Sequence, residues 1–276
     1  MHNSLTVDVE EWFHVCGAGD VVAPDKWSQL PSRVIANTRD LLVLLDRHGV
    51  RATFFVLGWV AMRYPRLVEE ILTAGHEIAS HGHAHRRVYE LTPQQFADDV
   101  DAGVSFLRAA GAKDIIGFRA PEWSINDRSI WALDVLARKQ FRFDSSMAPL
   151  RIIGNPAYPR VPHIRATSAG ELTEFPPLVG RRLGQNIPLG GGWGLRMSAP
   201  TDVLRAIERS NRARQPVALW VHPWEIDPDP PRARLPWPQR FAHYFRLDGF
   251  KQRLEEVIKG APFCPMGEVL GVAKAR

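Results

Sequence analysis

The sequence has little cysteine and no long hydrophobic run, and both absences narrow the class of protein. Only Cys16 and Cys264 occur among 276 residues, too few for a disulfide framework or a thiolate zinc site. We therefore expect a reducing compartment. No stretch of about 18 apolar residues occurs, so no membrane-spanning helix is predicted. The amino terminus also lacks the basic and apolar segments of a signal peptide, which predicts a cytoplasmic protein.

Concentrated charge is missing as well. The 35 Lys and Arg residues exceed the 30 Asp and Glu residues only slightly, and they are scattered along the chain. No block of about five like charges occurs, so a nucleic-acid partner is not expected. Hydrophobic residues make up 45% of the sequence, which is enough for a substantial core. A single enzyme-sized domain is the default interpretation, and the oligomeric state stays open.

Predicted strands and helices alternate along most of the chain. The expected strands are residues 5–9, 52–57, 77–80, 115–118, 141–143 and 217–221. The expected helices are residues 34–45, 66–73, 92–110, 127–138, 201–212 and 249–259. This alternation predicts an α/β fold with a mainly parallel sheet, either open or closed into a barrel. Residues 150–200 and 227–238 lack periodicity and are expected to decorate the same domain.

Polar residues stand at, or just beyond, the carboxyl ends of five predicted strands. They are Asp8, His81, Arg119, Asp144 and His222. Active sites of parallel α/β proteins assemble at this edge of the sheet. The five side chains are therefore expected to share one site.

Three alternating histidines directly follow a predicted strand. His81 and His85 are four residues apart, so a helical turn would put both imidazoles on one face. Two such imidazoles suit Zn²⁺ or a similar divalent metal. His83 would point elsewhere. Taken alone, the motif also fits a histidine-rich surface loop.

Three carboxylates end the first predicted strand. Burying Asp8, Glu10 and Glu11 is costly unless the charges meet a cation or titrate. Asp8 and Glu10 share one face of an extended strand, and Glu11 takes the other. One of the first two can therefore bind a metal while the other acts as a base. Ordinary surface acids at a strand end are the alternative.

The remaining strand-end residues suit supporting roles in proton transfer. His222 is a candidate general acid, because the pKa of histidine lies near working pH. Arg119 can orient a carboxylate base, and Asp144 can fix the tautomer of a histidine. Structural ion pairs would explain Arg119 and Asp144 equally well.

The order of these segments resembles the five motifs of the polysaccharide deacetylases, carbohydrate esterase family 4. The matching motifs are Asp8-Val9-Glu10, His81-Gly82-His83-Ala84-His85, Arg119-Ala120-Pro121, Asp144-Ser145-Ser146 and Val221-His222-Pro223-Trp224-Glu225. The likeness covers roughly residues 4–228. Later residues resemble the carboxyl-terminal extension of a bacterial subgroup associated with exopolysaccharide production. The usual first motif has two adjacent aspartates, whereas Val9 separates Asp8 from Glu10 here.

The resemblance implies a distorted (β/α) barrel of seven or eight strands. Residues 1–228 would form the catalytic domain, with residues 229–276 packed on it as an extension. A divalent metal, Zn²⁺ or alternatively Co²⁺, Ni²⁺ or Mn²⁺, would be held by Glu10, His81 and His85, with Glu11 as an alternative third ligand. By the same resemblance, the base is Asp8, oriented by Arg119, and the acid is His222, supported by Asp144.

The implied activity is hydrolysis of the N-acetyl group of an amino sugar in a polysaccharide, oligosaccharide or glycan precursor, with release of acetate. A backbone N–H near Glu122 would stabilise the oxyanion. Trp123, Trp193 and Trp224 could stack on sugar rings, although core packing is the alternative for each. Rival functions are hydrolysis of a small cyclic amide or lipid-linked sugar, or sugar binding without catalysis or a metal.

Overall fold

The computed structural model describes residues 1–15 and 22–272, in which strands and helices alternate. The strands are β1 (Asn3–Val9), β2 (Thr53–Val56), β3 (Glu77–Ser80), β4 (Gly117–Phe118), β5 (Phe143–Asp144), β6 (His163–Thr167), β7 (Gly170–Glu174), β8 (Val179–Arg182), β9 (Gln185–Pro188), β10 (Ala218–Val221) and β11 (Phe263–Cys264). The helices are α1 (Val34–Arg47), α2 (Gly58–Arg63), α3 (Pro65–Thr73), α4 (Pro93–Ala109), α5 (Ala132–Arg138), α6 (Gly192–Met197), α7 (Pro200–Arg212), α8 (Trp237–Tyr244), α9 (Phe250–Gly260) and α10 (Met266–Val269).

One curled sheet organises the molecule. Its strand order is β10-β1-β2-β3-β4-β5-β7-β6, and β11 adds to β1. The seven strands from β10 to β7 run parallel, whereas β6 is antiparallel. Single parallel bridges from Pro177 and Gly191 to β10 link the chain beyond β7 to the opposite edge of the sheet. The predicted distorted barrel of parallel strands is therefore confirmed.

Strand β1 is buried along its whole length, as a parallel strand covered on both faces must be. Its apolar side chains, Leu5, Val7 and Val9, pack with outer helices in the main core. The alternate side chains, Thr6 and Asp8, meet the guanidinium of Arg119 inside the curl. Period-two alternation thus aims Asp8 into the interior of the barrel.

Helices and strands up to β5 lie close to their predicted positions, except that helix α2 was not predicted. Several later elements were not predicted either. Residues 150–200, predicted to be irregular, contain the hairpins β6–β7 and β8–β9 and helix α6. In β6 no residue is fully buried, and Ile164 is exposed. Such a strand lacks the apolar alternation by which a strand is recognised. Helix α8 was likewise not predicted. It begins within the proline-rich stretch 227–238 and ends beyond it.

The carboxyl-terminal segment is part of the same packing. Helix α9 contributes Phe250, Leu254 and Val257 to the main core, and β11 pairs with β1. Within residues 1–15 and 22–272, no helix is both long and apolar enough to cross a membrane.

Candidate active site

The histidine motif forms a loop, not a helical turn. The loop begins after Ser80, the last residue of β3, and Gly82 and His85 both have positive φ, +73° and +49°. The ring centroids of His81 and His85 are nevertheless 5.6 Å apart. The helical turn expected from the four-residue spacing is therefore wrong, although the two imidazoles do meet.

Asp99 of α4 holds this loop in place. Its carboxylate accepts hydrogen bonds from the backbone N–H groups of His83 (2.8 Å) and Ala84 (3.0 Å). A Cβ atom on Gly82 would lie 2.7 Å from Asp99 Oδ2, so the close approach requires glycine. The His83 ring stacks on Phe106, 5.2 Å away, and so points away from the other two histidines, as expected.

Glu10, His81 and His85 form a buried cluster whose ligand atoms lie within 4.8 Å of one another. Glu10 Oε2 is 2.5 Å from His85 Nε2 and 3.7 Å from His81 Nε2. His81 Nδ1 lies 2.8 Å from the carbonyl oxygen of Arg119, which fits a donated hydrogen bond and leaves Nε2 as the ligand atom. One carboxylate and two imidazoles are a donor set that suits Zn²⁺ and related divalent metals.

The charge of Glu10 is stabilised by the surrounding imidazoles. Burial alone would raise the pKa of this carboxyl, but His85, His222 and His81 outweigh it and hold the pKa well below its usual value. Glu10 is therefore an anion, the form that a metal ligand needs.

Glu11 points the other way and caps helix α1. Its carboxylate accepts hydrogen bonds from the backbone N–H groups of Arg33 (2.9 Å) and Val34 (3.2 Å) and from the Ser32 hydroxyl. A carboxylate at this position satisfies N–H groups that lack an intrahelical partner. The structure thus places Glu10, and not Glu11, beside the histidines.

Asp8 is held by Arg119, which is completely buried. Arg119 donates hydrogen bonds to Asp8 Oδ1 and Thr6 Oγ1, both over 2.7 Å. Its guanidinium also lies over the rings of Phe55 (4.1 Å) and Trp123 (4.5 Å). Fixed hydrogen-bond acceptors and aromatic faces hold the cation in one geometry, and the cation in turn orients Asp8.

His222 faces the carboxylates across the cavity. Its Nε2 lies 4.0 Å from Asp8 Oδ2 and 3.6 Å from Glu10 Oε1, while Nδ1 lies 3.0 Å from Glu225 Oε2. Burial would lower the pKa of the imidazole, but Glu10, Glu225 and Asp8 outweigh it and raise the pKa to about 9. His222 therefore carries a proton on the nitrogen that faces the acids.

The carboxylate beside His222 is Glu225, whereas the sequence indicated Asp144. Asp144 accepts a hydrogen bond from Ser146 and pairs with Glu174. Both of these carboxyls are completely buried; burial raises the pKa of Asp144 to about 6 and that of Glu174 well above its usual value. The pair therefore retains a proton near neutral pH.

A local signal for Glu225 was present in the sequence. Pro223 opens a short 3-10 helix, Pro223–Ile226, and Glu225 occupies its third position. From there Glu225 accepts a hydrogen bond from the backbone N–H of His222 (3.0 Å), in the arrangement of a capping box. A proline followed two residues later by an acid thus predicts a carboxylate returning to the preceding histidine.

Of the three candidate tryptophans, Trp123 and Trp224 line the cavity. Trp224 Nε1 donates a hydrogen bond to Glu10 Oε1 over 3.3 Å. Trp193 is not among the lining residues; its ring packs 5.4 Å from Phe241 and 6.0 Å from Phe245. Glu122 also lines the cavity, and its carboxylate accepts a hydrogen bond from Arg87 (2.7 Å).

These side chains surround one cavity of about 260 Å³. Its lining comprises Asp8, Glu10, His14, Val15, His81, His85, Glu122, Trp123, Ile153, His222, Trp224 and His243. Neither His14 nor His243 was predicted from the sequence as a site residue. His14 stacks on His85, with centroids 5.6 Å apart, and lies four residues beyond Glu10. No local pattern distinguishes His243, which long-range packing brings to the cavity.

The fold and cavity define an α/β-barrel protein with a candidate metal site at the carboxyl ends of its parallel strands. Residues 30–141 match the family model "Polysaccharide deacetylase", and residues 145–271 match a domain of unknown function, DUF3473. Residues 30–141 thus match the polysaccharide deacetylases, which confirms the resemblance over this part of the chain. The second match spans both His222 and the extension predicted to begin at residue 229.

Curated relatives are similar to this chain over about a third of its length or slightly more. A peptidoglycan deacetylase-like protein of Gibberella zeae is 34% identical over 110 residues, which is 39% of this chain and 32% of the relative. A chitooligosaccharide deacetylase of a Bradyrhizobium species is 34% identical over 101 residues, which is 36% of this chain and 43% of the relative. A peptidoglycan-N-acetylglucosamine deacetylase of Bacillus cereus is 33% identical over 90 residues, which is 33% of this chain and 42% of the relative. The chain thus matches less than half of each relative.

Solved structures share the fold over almost the whole chain. A Mycobacterium smegmatis protein assigned to the polysaccharide deacetylases has a TM-score of 0.61 at 18% identity and covers 100% of this chain and 95% of its own. A peptidoglycan N-acetylglucosamine deacetylase has a TM-score of 0.54 at 15% identity, and the match covers 100% of this chain and 90% of that protein's chain. A carbohydrate esterase family 4 pseudoenzyme of Bacillus anthracis has a TM-score of 0.50 at 15% identity, and the match covers 99% of this chain and 66% of that protein's chain. At these identities the likeness concerns the fold alone.

Proposed function

We propose that this chain is a metal-dependent deacetylase that hydrolyses the N-acetyl group of an amino sugar in a polysaccharide, oligosaccharide or glycan precursor. The observation that carries the proposal is the meeting of Glu10, His81 and His85 with Asp8 and His222 in one cavity. The match of residues 30–141 to the polysaccharide deacetylases supports it. The fold alone would not, since a pseudoenzyme shares it.

Glu10, His81 and His85 would hold the metal, with Zn²⁺ as the first candidate and Co²⁺, Ni²⁺ and Mn²⁺ as alternatives. When bound, a divalent cation supplies Lewis acidity toward the acetamide carbonyl and lowers the pKa of a water molecule. The donor set fits this group because Glu10 is anionic and the backbone carbonyl of Arg119 orients the His81 ring.

Asp8 acts as the general base. Arg119 holds Oδ1 at 2.7 Å, so Oδ2 is the oxygen nearer His222 and the cavity. Asp8 takes a proton from water as the water oxygen bonds to the acetyl carbon. The neighbouring guanidinium fixes the direction of the carboxylate, as a positioned base requires.

His222 acts as the general acid. Glu225 accepts a hydrogen bond from Nδ1, so the transferable proton is on Nε2, which faces Asp8 and Glu10. This proton goes to the sugar nitrogen as the carbon–nitrogen bond breaks, which gives acetate and a free amino sugar. Trp123, Trp224 and Glu122 lie where they can contact the substrate.

Acetate release from N-acetylated glycans, N-acetylated lipid-linked sugars and small cyclic amides tests the proposal. The wild type should release acetate from a glycan, and chelation should abolish the release. Asp8→Asn should lower kcat by about 100- to 10,000-fold, the range typical of a general base. Wild-type acetate release by Asp8→Asn would show that the assignment of the base is wrong. Hydrolysis of only the cyclic amide would favour that rival substrate.

A further inference from the structure

The carboxyl-terminal part of the chain places a histidine in the proposed catalytic cavity. His243, near the end of α8, lines this cavity together with Glu10 and His222. It is 8% exposed, and its ring stacks on Trp224 with centroids 4.0 Å apart and planes inclined by 24°. The ring of Trp224 also stacks on His222 at 5.0 Å. His243 therefore lies one indole ring away from the proposed acid.

One ring nitrogen of His243 is unused by the described protein. Nε2 is buried and has no hydrogen-bond partner within residues 1–15 and 22–272. Leaving a buried polar atom unpaired costs about 1–3 kcal/mol, and native structures contain few such atoms. Stacking on Trp224 explains why an aromatic ring is present, but it does not explain a nitrogen at this position.

The imidazole of His243 is neutral. Burial, with Arg196 nearby, lowers the pKa to about 4. A neutral imidazole offers one donor and one acceptor nitrogen and carries no net charge. It is therefore suited to a hydroxyl group and poorly suited to a carboxylate or phosphate.

Arg196 connects His243 to the partner of the proposed acid. Its guanidinium donates hydrogen bonds to the backbone carbonyls of Ala242 (2.9 Å), His243 (3.1 Å) and Phe245 (2.9 Å). The same guanidinium lies 3.1 Å from Glu225 Oε1. Because Glu225 contacts His222, one buried cation fixes both histidines relative to each other.

We propose that His243 is a substrate-binding residue, whose Nε2 hydrogen-bonds a hydroxyl group of the sugar that carries the reacting acetamide. This inference rests on the proposed function, because the reacting amide must lie at His222. His222 and His243 line the same cavity, so a sugar with its amide at His222 occupies the space that His243 also borders. The region of unknown function would thereby contribute to the recognition of the sugar.

His243→Phe is the decisive variant, because it keeps an aromatic ring against Trp224 and removes both nitrogens. Its binding of an N-acetylglucosamine oligosaccharide should be measured by calorimetry, beside its kinetics on that sugar and on 4-nitroacetanilide, which has no hydroxyl. We expect about tenfold weaker sugar binding, the value of one neutral hydrogen bond, and a clearly smaller loss of anilide hydrolysis than of sugar hydrolysis. His243→Asn, which retains polar atoms, should bind with intermediate affinity. Arg240→Ala, exposed on the same helix, is the surface control.

Each outcome decides the inference separately from the proposed function. Equal sugar binding by His243→Phe and the wild type overturns the role of His243, as does a wild type that binds no oligosaccharide. An equal loss on sugar and anilide also overturns it, since that loss indicates a disturbed reaction centre. A different result would separate the two proposals: the wild type binds sugar tightly, His243→Phe binds it more weakly, and neither protein releases acetate. This result would support the binding role of His243 and refute the deacetylase proposal.

Discussion

The two regions matched by family models contribute different chemistry to one cavity. Residues 30–141 supply His81, His85 and the arginine that holds Asp8. Residues 145–271 supply His222 and its partner Glu225. Asp8 and Glu10 precede both matches. A match to the deacetylase model alone therefore covers two proposed metal ligands but neither the proposed base nor the proposed acid, and the region of unknown function is part of the candidate site.

The largest effect is expected in the first region. His85→Ala removes one of three metal ligands and should weaken metal binding by more than about 100-fold, with loss of acetate release. His83→Ala is the matched control, because its side chain stacks on Phe106 in the same loop. Metal analysis of both purified variants checks the prediction. Full metal content in His85→Ala would contradict the assigned ligand.

The acids before the first region give a second test. Glu10→Gln should lose metal and lower kcat by about 100-fold or more, because the anionic ligand is removed. Glu11→Gln should keep its metal and its activity but lose about 1 kcal/mol of unfolding free energy, because Glu11 caps α1. Metal titration should detect the loss in Glu10→Gln, and denaturant unfolding should detect the lower stability of Glu11→Gln. The reverse pattern would make Glu11 the ligand.

The second region is tested at the proposed acid. Glu225→Gln should lower kcat by about 10- to 100-fold, as expected for a group that orients another. Since Glu225 raises the pKa of His222, its removal lowers that pKa. His222 must be protonated to act as an acid, so activity should be lost at lower pH than in the wild type. A pH profile of kcat/KM checks this shift, and an unmoved alkaline limb would exclude the role of Glu225.

The smallest effect is expected where the regions meet, at Asp144 and Glu174. Their raised pKa values mean that the folded state retains a proton that the unfolded chain releases. The contribution of this pair to stability is therefore greatest at acidic pH and is lost as pH rises through about 6. Glu174→Gln should reduce this loss by about 1 kcal/mol between about pH 5 and 7. Glu171→Gln, exposed on β7, is the control for unfolding measured at both pH values.

Local patterns predicted the first part of the molecule well. Asp8 and Glu10 share a face because strands alternate with a period of two, and parallel strands bring their carboxyl ends to one edge. The geometry of the histidine loop was not predictable, because it depends on Asp99, a residue of the following helix. Sequence spacing indicated the correct pair, His81 and His85, for the wrong local reason.

The second region shows where such patterns fail. Because Asp144 and His222 lie at the carboxyl ends of parallel strands, both are expected at the same edge of the sheet. Their positions do not predict which carboxylate contacts which imidazole. Glu225 contacts His222 through a local turn, whereas Asp144 pairs with Glu174 across β5 and β7. His243 depends on α8, which long-range contacts through Arg196 hold in place. Only the Glu225 contact has a short sequence spacing; the contacts of Asp144 and His243 are long-range.

Anomalous X-ray diffraction from crystals of the protein with Zn²⁺ tests the central claim most directly. We expect one strong peak within about 2.0–2.2 Å of a Glu10 oxygen and of a nitrogen from each of His81 and His85. Asp8 should stay outside the coordination sphere, paired with Arg119. No peak at the three residues, or a zinc ion coordinated by Glu11 instead of Glu10, would contradict the account.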